Sequence, residues 1–367
     1  MSPAKIDKLK FKEINLEDAF FDTLKEDYDG FEEWFKRKSE AHCFIKFKER
    51  KVVGFLYLKE ENEEIKLKDI NLCIKNRLKI GTFKLSEEIK GTKIGEAFFN
   101  IIFKELYKNK YEEVYVTVFK KQSELIDIFK SFGFDIKGKK LNDELVLIRA
   151  LFGNGDIRKC YPFISWNNNT VGKYLIIEEK WHDKLIPEGL LKGVEQGKDY
   201  NISSKGISKV YISFASNIKE IYKIGDVLAI YRKATENAAY KSAVTGLGVC
   251  EKIIEIRKNY QNIVSFKEFL TLIGNKSVFE RKDLEEFYLN NRLKNITIIK
   301  FITSISFGEG NNVNYKNLKK HDLWPNYYPT NKNLEYNEIL KIIEIGGSNV
   351  QNIIINKTWI CRKNYKW

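Results

Sequence analysis

RLKIGTFKLSEEIKGTKIGEAFFNIIFKELY, residues 77–107 of the 367-residue chain, decides how the first two fifths of the sequence is read. Arg77–Leu85 has the composition of a strand. Gly95–Tyr107 follows as a helix, with Phe98, Ile101, Ile102 and Leu106 spaced to share one apolar stripe. Between them, Leu85–Glu96 holds two glycines, Gly91 and Gly95, and two lysines, Lys90 and Lys93. The first N–H groups of a helix lack partners inside it, and the positive end of its dipole lies there, so such a loop suits phosphate. Glycine also lets the backbone approach a pyrophosphate with no Cβ in the way. Taken alone, a plain strand-to-helix turn explains these residues about as well.

Reading outward, residues 8–14 predict a strand and Glu17–Lys38 a helical stretch, carried by Phe20, Phe21, Leu24, Phe31, Trp34 and Phe35. Strands His42–Lys48 and Val52–Lys59 follow as a hairpin through Glu49-Arg50-Lys51. Downstream, Glu113–Phe119 (EVYVTVF) is apolar on both faces, as a buried parallel strand is. A helix from Ser123 to Phe132 then stops at Gly133, where helices commonly take a left-handed turn. Strand–helix–strand–helix in this order implies a right-handed crossover and an α/β domain, a mixed sheet with flanking helices, over residues 1–150.

The order of these elements, closing on LIDIFKSFGF, resembles the GCN5-related N-acetyltransferase (GNAT) family from residue 8 to about 150. The family's Arg/Gln-x-x-Gly-x-Gly/Ala loop, laid on this chain, runs from Lys90 to Gly95. Lys90 takes the Arg/Gln place, Lys93 takes the place of the first glycine, and Gly95 fits. The resemblance implies that backbone N–H groups of Lys90, Gly91, Thr92, Lys93, Ile94 and Gly95 hold the pyrophosphate of acetyl-CoA. It also implies that the pantetheine arm pairs with Thr82, Phe83, Lys84 and Leu85, where the strand before the loop splays from the strand after the helix. The family's reaction is attack of an amine on the thioester, which needs a base or water relay and often an acid for the thiolate. Members often use a tyrosine acid in an LYxxxGF-like segment; here Phe129 stands in that place and cannot donate a proton. Tyr115, a water or an unassisted thiolate are the alternatives. Glu87 and Glu88 are the candidate bases, and solvated acidic residues beside a basic loop are their plain structural reading.

Residues 151–172 have a linker composition, with three consecutive asparagines. Residues 173–310 change to short β-runs with glycine-marked turns, among them Gly225-Asp226 and Gly246-Leu247-Gly248. This patterning resembles the PUA-like superfamily, including ASCH and EVE domains, and implies a mostly β barrel with helices that binds RNA or modified bases. Tyr231, Arg232, Lys233, Tyr240 and Lys241, with Tyr222 nearby, bring ring faces and cations onto one short segment. Bases stack on rings for about 1–3 kcal/mol each, and cations neutralise phosphate. A tyrosine in a β-run is as readily a half-buried packing residue. Residues 311–367 form an extension that the sequence assigns to neither domain.

Composition bounds the rest. Sixty-four basic against 50 acidic residues give a net charge of +14, which suits an anionic partner without naming one. Hydrophobic residues at 43% exclude general disorder. Five scattered cysteines without a CxxC, and only three histidines, argue against a disulfide framework and a metal cluster. The N-terminal residues lack the apolar core of a signal peptide, and no apolar run approaches a membrane span. The expectation is a cytoplasmic N-acetyltransferase that uses acetyl-CoA and is brought by a PUA-like domain to an amine on or near nucleic acid, RNA rather than DNA. Two alternatives stand beside it. One is a protein or small-amine acetyltransferase with a structural second domain; the other is a non-catalytic nucleic-acid-binding protein.

Overall fold

The computed structural model describes residues 6–89, 94–153, 156–192, 206–290, 294–347 and 354–356, in two units that divide between Asn154 and Gly155. In the first unit the strands are β1 (Asp7–Lys10), β2 (His42–Lys48), β3 (Lys51–Glu61), β4 (Ile65–Lys66), β5 (Asn71–Leu72), β6 (Arg77–Leu85), β7 (Glu113–Val118), β8 (Asp135–Lys139) and β9 (Leu145–Ala150). Seven of them form one sheet in the order β1-β2-β3-β6-β7-β9-β8, while β4 and β5 pair as a separate small hairpin. Among the described strands of this sheet only β6 and β7 run parallel, which requires a crossover, and α3 (Ile94–Lys108) supplies it. Its buried stripe, Phe98, Phe99, Ile102, Phe103 and Leu106, has the spacing that anchors a helix on a sheet. Glu49 and Arg50 take positive φ at the β2–β3 turn, the conformation that tight hairpins require.

Two expectations for this unit need correction. The strand read over residues 8–14 ends at Lys10, because Phe11–Glu13 turn into a short 3-10 helix that buries Phe11 completely. The helical stretch Glu17–Lys38 is broken into α1 (Asp22–Asp27) and α2 (Phe31–Arg37). Gly30, in the left-handed region at φ +74°, makes the break. Its apolar residues nevertheless share one core with β2 and β3, built from Phe11, Phe21, Phe31, Phe35, Cys43, Ile45 and Phe55. Helix α4 (Ser123–Ser131) stops at Gly133, φ +84°, as its sequence predicts.

The second unit contains β10 (Ile164–Trp166), β11 (Gly172–Glu178), β12 (Ser208–Ser213), β13 (Val227–Lys233), β14 (Ala243–Lys258), β15 (Gln261–Asn262), β16 (Ile296–Ser306), β17 (Val313–Asn314) and β18 (Ile354–Asn356). The main order is β11-β13-β14-β16-β12, with β15 and β17 added to β14. Among the described residues this sheet is open, so the expected closed barrel is not seen. Alternation along β13 explains its two cores: Val227, Ala229 and Tyr231 face one cluster, and Leu228 and Ile230 the other.

The expected linker and the unassigned tail both belong to this unit. Residues 157–160 form a helical turn, and β10 pairs in parallel with β18. Leu318, Leu323, Leu334, Ile339, Ile342 and Ile343 complete the cluster around Tyr174 and Tyr231. The asparagine run is only a local turn, closed by Thr170 N–H donating to the Asn167 carbonyl at 3.0 Å. No described helix is long and apolar enough to cross a membrane.

Candidate functional site

The pairing of β6 with β7 sets the site. Arg77 lies opposite Glu113, and the parallel ladder continues only to Ile80 opposite Val116. Arg77 pins that end: it is 2% exposed, its Nε donates to Glu113 at 3.0 Å, and its other nitrogens donate to the Glu63 and Cys73 carbonyls. Beyond Ile80, β6 stays with β3 as far as Leu85 opposite Gly54, and β7 stays with β9 as far as Val118 opposite Leu145. The two strands therefore part, each held by its outer neighbour.

At the point of parting, the β3–β6 register skips one residue. Ile80 faces Leu58 and Thr82 faces Tyr57, so Gly81 is the bulged residue. A bulge leaves its extra residue out of the ladder and is common beside functional sites. Glycine is required here by space: a Cβ would sit 2.7 Å from the Tyr57 ring.

A cleft of about 1060 Å³ opens over this point, walled by β6 from Lys79 to Phe83, by Val116–Val118 of β7, by the α1–α2 break and by the β8–β9 turn. Its most enclosed carboxylate is Glu144, 6% exposed. Asn142 Nδ2 donates to Glu144 Oε2 at 3.0 Å, and the Tyr28 hydroxyl reaches Oε1 at 3.5 Å. Burial, with the Glu144 and Asp27 carboxylates beside it, pushes the Tyr28 phenol up to about 12. Lys79 is 19% exposed at the cleft wall; burial, opposed only partly by Glu61, lowers its pKa from the ordinary lysine value. No group of histidines, cysteines and carboxylates suited to a metal occurs among the described residues.

The residues predicted from sequence distribute unevenly around this cleft. Phe83 lines it and touches Phe129, ring centres 6.0 Å apart. Phe129 is fully buried in an aromatic cluster with Phe99 and Phe134. Lys84 donates through Nζ to the Phe20 carbonyl and the Thr23 hydroxyl, tying β6 to the start of α1. Leu85 lies at the end of β6 against Gly95, whose Cβ position is 3.3 Å from Leu85 Cδ1. Ile94 and Gly95 form the first turn of α3; Lys90, Gly91, Thr92 and Lys93 lie outside the described residues.

Glu87 and Glu88 sit exposed in a 3-10 turn after β6, and Glu88 pairs with Lys48 at 2.9 Å. Neither lines the cleft. Tyr115 is buried among Ile65, Leu67, Val146 and Ile148, with Lys79 Nζ 5.3 Å from its ring centre; it does not line the cleft either. Sequence reading missed Tyr28 and Glu144. The one available signal was Gly30, whose break in the helix places Tyr28 at the wall.

In the second unit, Tyr231 and Arg232 belong to the interior strand β13, paired on both sides. Tyr231 packs on Trp324 at 4.5 Å. Arg232 donates twice to Asp183, at 2.8 and 2.9 Å, and meets Glu179 at 3.2 Å. Tyr222 is buried and donates to the Tyr174 carbonyl at 2.8 Å. Lys233, Tyr240 and Lys241 are exposed, and Lys316 Nζ sits 5.4 Å over the Tyr240 ring.

Residues 9–134 match the model of the acetyltransferase (GNAT) family. The first unit is a GNAT acetyltransferase domain. Acetyl-CoA is the cosubstrate that this assignment brings. No curated protein is significantly similar to the chain. Among solved structures, PaiA N-acetyltransferase from Thermoplasma acidophilum, in complex with coenzyme A, is 14% identical over 40% of this chain and 99% of its own, TM-score 0.29. An IAA acetyltransferase from Bacillus cereus is 13% identical over 40% of this chain and 99% of its own, TM-score 0.31. Likenesses at these scores decide nothing by themselves, and the assignment rests on the sequence match to the family.

Proposed function

We propose that the first unit transfers the acetyl group of acetyl-CoA to an amine bound in the cleft. The observation that carries this reading is the parting of β6 and β7 at the Gly81 bulge, inside a GNAT-family domain. Gly81–Leu85 keep a strand edge free of β7, which suits the amides of a pantetheine arm. The first turn of α3, with Ile94 and Gly95, offers N–H groups and a positive dipole end to phosphate. Acetyl-CoA would supply the thioester: the amine forms the new C–N bond, the C–S bond breaks, and coenzyme A leaves as its thiolate, which takes a proton from solvent. In this scheme the Gly81 N–H steadies the developing oxyanion, and Glu144 takes the amine's proton directly or through a water.

Magnitudes assign Tyr28 its part. An ordinary thiol ionises near pH ~8.5. A phenol pushed up to about 12 while Glu144 is charged is a much weaker acid than that thiol, and burial, the largest cause, persists once Glu144 takes a proton. In this scheme Tyr28 holds Glu144, and the thiolate leaves without a tyrosine acid. This agrees with Phe129 standing where the family often has tyrosine. The test is calorimetric titration of acetyl-CoA into the full chain and into Gly95→Trp, with circular dichroism to confirm folding. Tight binding by the natural chain and at least tenfold weaker binding by the folded variant support the reading; equal affinity sinks it.

A second reading adds nucleic acid as the carrier of the amine. It rests on Lys233, Tyr240, Lys241 and Lys316, exposed together on the second unit. RNA binding that weakens steeply between roughly 50 and 200 mM salt, and falls in Tyr240→Ala with Lys316→Ala, supports it. Binding unchanged by both removes it.

A further inference from the structure

The cleft carries more positive charge than its own carboxylates answer. Arg37, Lys38, Lys59, Lys79 and Lys140 line it, against Asp29, Glu33 and Glu144. Just outside, Glu61 serves two lysines at once, Lys59 at 2.6 Å and Lys79 at 3.3 Å. Lys140 lies near enough to Lys79 to repel its charge. Arg37, Lys38 and Lys140 make no ion pair among the described residues. Lysines gathered at a half-buried wall repel one another and lose hydration, an arrangement that an anion relieves.

These cations are poorly placed for the coenzyme's phosphates. Phosphate is expected at the first turn of α3, past the end of β6. No described residue of α3 lines the cleft, and its wall on β6 stops at Phe83. The positive charge lies at the end of α2 (Arg37, Lys38), the end of β3 (Lys59), the paired part of β6 (Lys79) and the β8–β9 turn (Lys140). Glu144, which waits for the amine's proton, lines the same cleft.

We propose that the acceptor is an amine whose carrier bears a carboxylate or phosphate, and that this anionic group docks against Lys59, Lys79 and Lys140 while the amine points to Glu144. The inference rests on the acetyl-transfer reading above and adds the class of acceptor. It excludes polycationic acceptors such as polyamines, whose charges would face the lysines. Complementary charge gives specificity chiefly by suppressing the wrong partner.

The experiment uses the full chain, acetyl-CoA and four amines: glutamate, phosphoethanolamine, glycinamide and spermidine. Thiol release is followed for each, and binding of each amine is measured in the presence of coenzyme A. The expected result is a kcat/KM at least tenfold higher for one of the anionic amines than for glycinamide, with spermidine poorest. The better of glutamate and phosphoethanolamine tells carboxylate from phosphate. Lys140→Gln, at a half-buried position, and Lys79→Met should each narrow the anionic-to-neutral ratio about fivefold or more. A preference for spermidine or glycinamide, or a ratio untouched in both variants, overturns the inference and leaves acetyl transfer standing. Binding of anionic amines with no transfer to any amine overturns the acetyl-transfer reading instead, and the acceptor class with it.

Discussion

The cleft of the first unit and the charged cluster under β13 of the second both draw ionisable groups out of water, and they resolve the problem in opposite ways. In the second unit, His182 is completely buried; its Nδ1–H donates to Asp183 at 2.9 Å, and its Nε2 accepts from the Thr245 hydroxyl at 2.8 Å. That tautomer follows from the network, since the hydroxyl's other acceptor, the Ile230 carbonyl, is 3.4 Å away. Arg232 closes the other side of Asp183 and meets Glu179. Each charge has its answer within the chain, and His182 and Thr245 are sealed from solvent. In the cleft, two lysines share one carboxylate and the wall opens onto space large enough for a substrate. A buried charge without a partner is expensive. Where the chain supplies the partner the cluster is structural; where it leaves room, a ligand can.

The comparison breaks first if the cleft's carboxylate is idle. Glu144→Gln keeps the size and the hydrogen bonds to Asn142 but removes the proton acceptor. It should lower kcat by about 10²-fold or more, with acetyl-CoA affinity held. Unchanged turnover would take Glu144 out of the chemistry.

The second unit should respond in stability. Asp183→Ala strands His182 and half of Arg232's hydrogen bonds, and loss of about 3 kcal/mol is expected, read by chemical denaturation. Turnover per folded molecule should hold. A smaller loss than about 1 kcal/mol would mean that the network is not the closed structural device described.

Acid sharpens the contrast. Burial, partly offset by Asp183, depresses the pKa of His182 below the ordinary 6.5. As pH falls below 6.5 the unfolded chain takes the proton first, so the second unit loses stability from that point downward. Burial would raise the Asp183 carboxyl, but its bonds to His182 and Arg232 outweigh burial and hold it below 3.8. Its contribution is therefore present above 3.8 and lost as pH falls further, in the same direction. Melting temperature should be level above pH 6.5 and fall below it, and His182→Gln should flatten the first part of that fall. A flat profile in the natural chain contradicts this.

The smallest effect is expected at Phe129→Tyr. Phenylalanine is fully buried there among rings, so an added hydroxyl needs a partner it does not have and destabilises by about 1–3 kcal/mol. Turnover of the folded fraction should stay within a few-fold. If only the tyrosine variant turns over, the natural domain lacks chemistry and the non-catalytic alternative takes first place.

What the sequence made legible was local. The β6–loop–α3–β7 run declares itself because strand, loop and helix follow within about forty residues and each has its own periodicity. The α1–α2 break escaped because Phe20, Phe21, Leu24, Phe31, Trp34 and Phe35 keep a helix-like stripe across Gly30, and all six still serve the same core. Glu144 could not be seen: its partner Tyr28 is 116 residues away, and nothing around a turn glutamate marks a cleft wall. Tyr231 and Arg232 read as a nucleic-acid surface because alternation along a strand does not tell an interior position from an edge. Partners on both sides of β13 decided it. The supposed linker and tail misled for the same reason, since β10 and β18 pair across nearly two hundred residues.

Acetyl transfer is the property on which the roles given to the cleft residues depend. The most direct measurement is mass spectrometry of the 367-residue chain incubated with acetyl-CoA and the amine panel, alongside a thiol assay. The account predicts an acetylated amine with one free coenzyme A thiol for each acetyl group transferred, both reduced together in Glu144→Gln. Coenzyme bound and recovered intact, with no acetylated amine from any member of the panel, would contradict it.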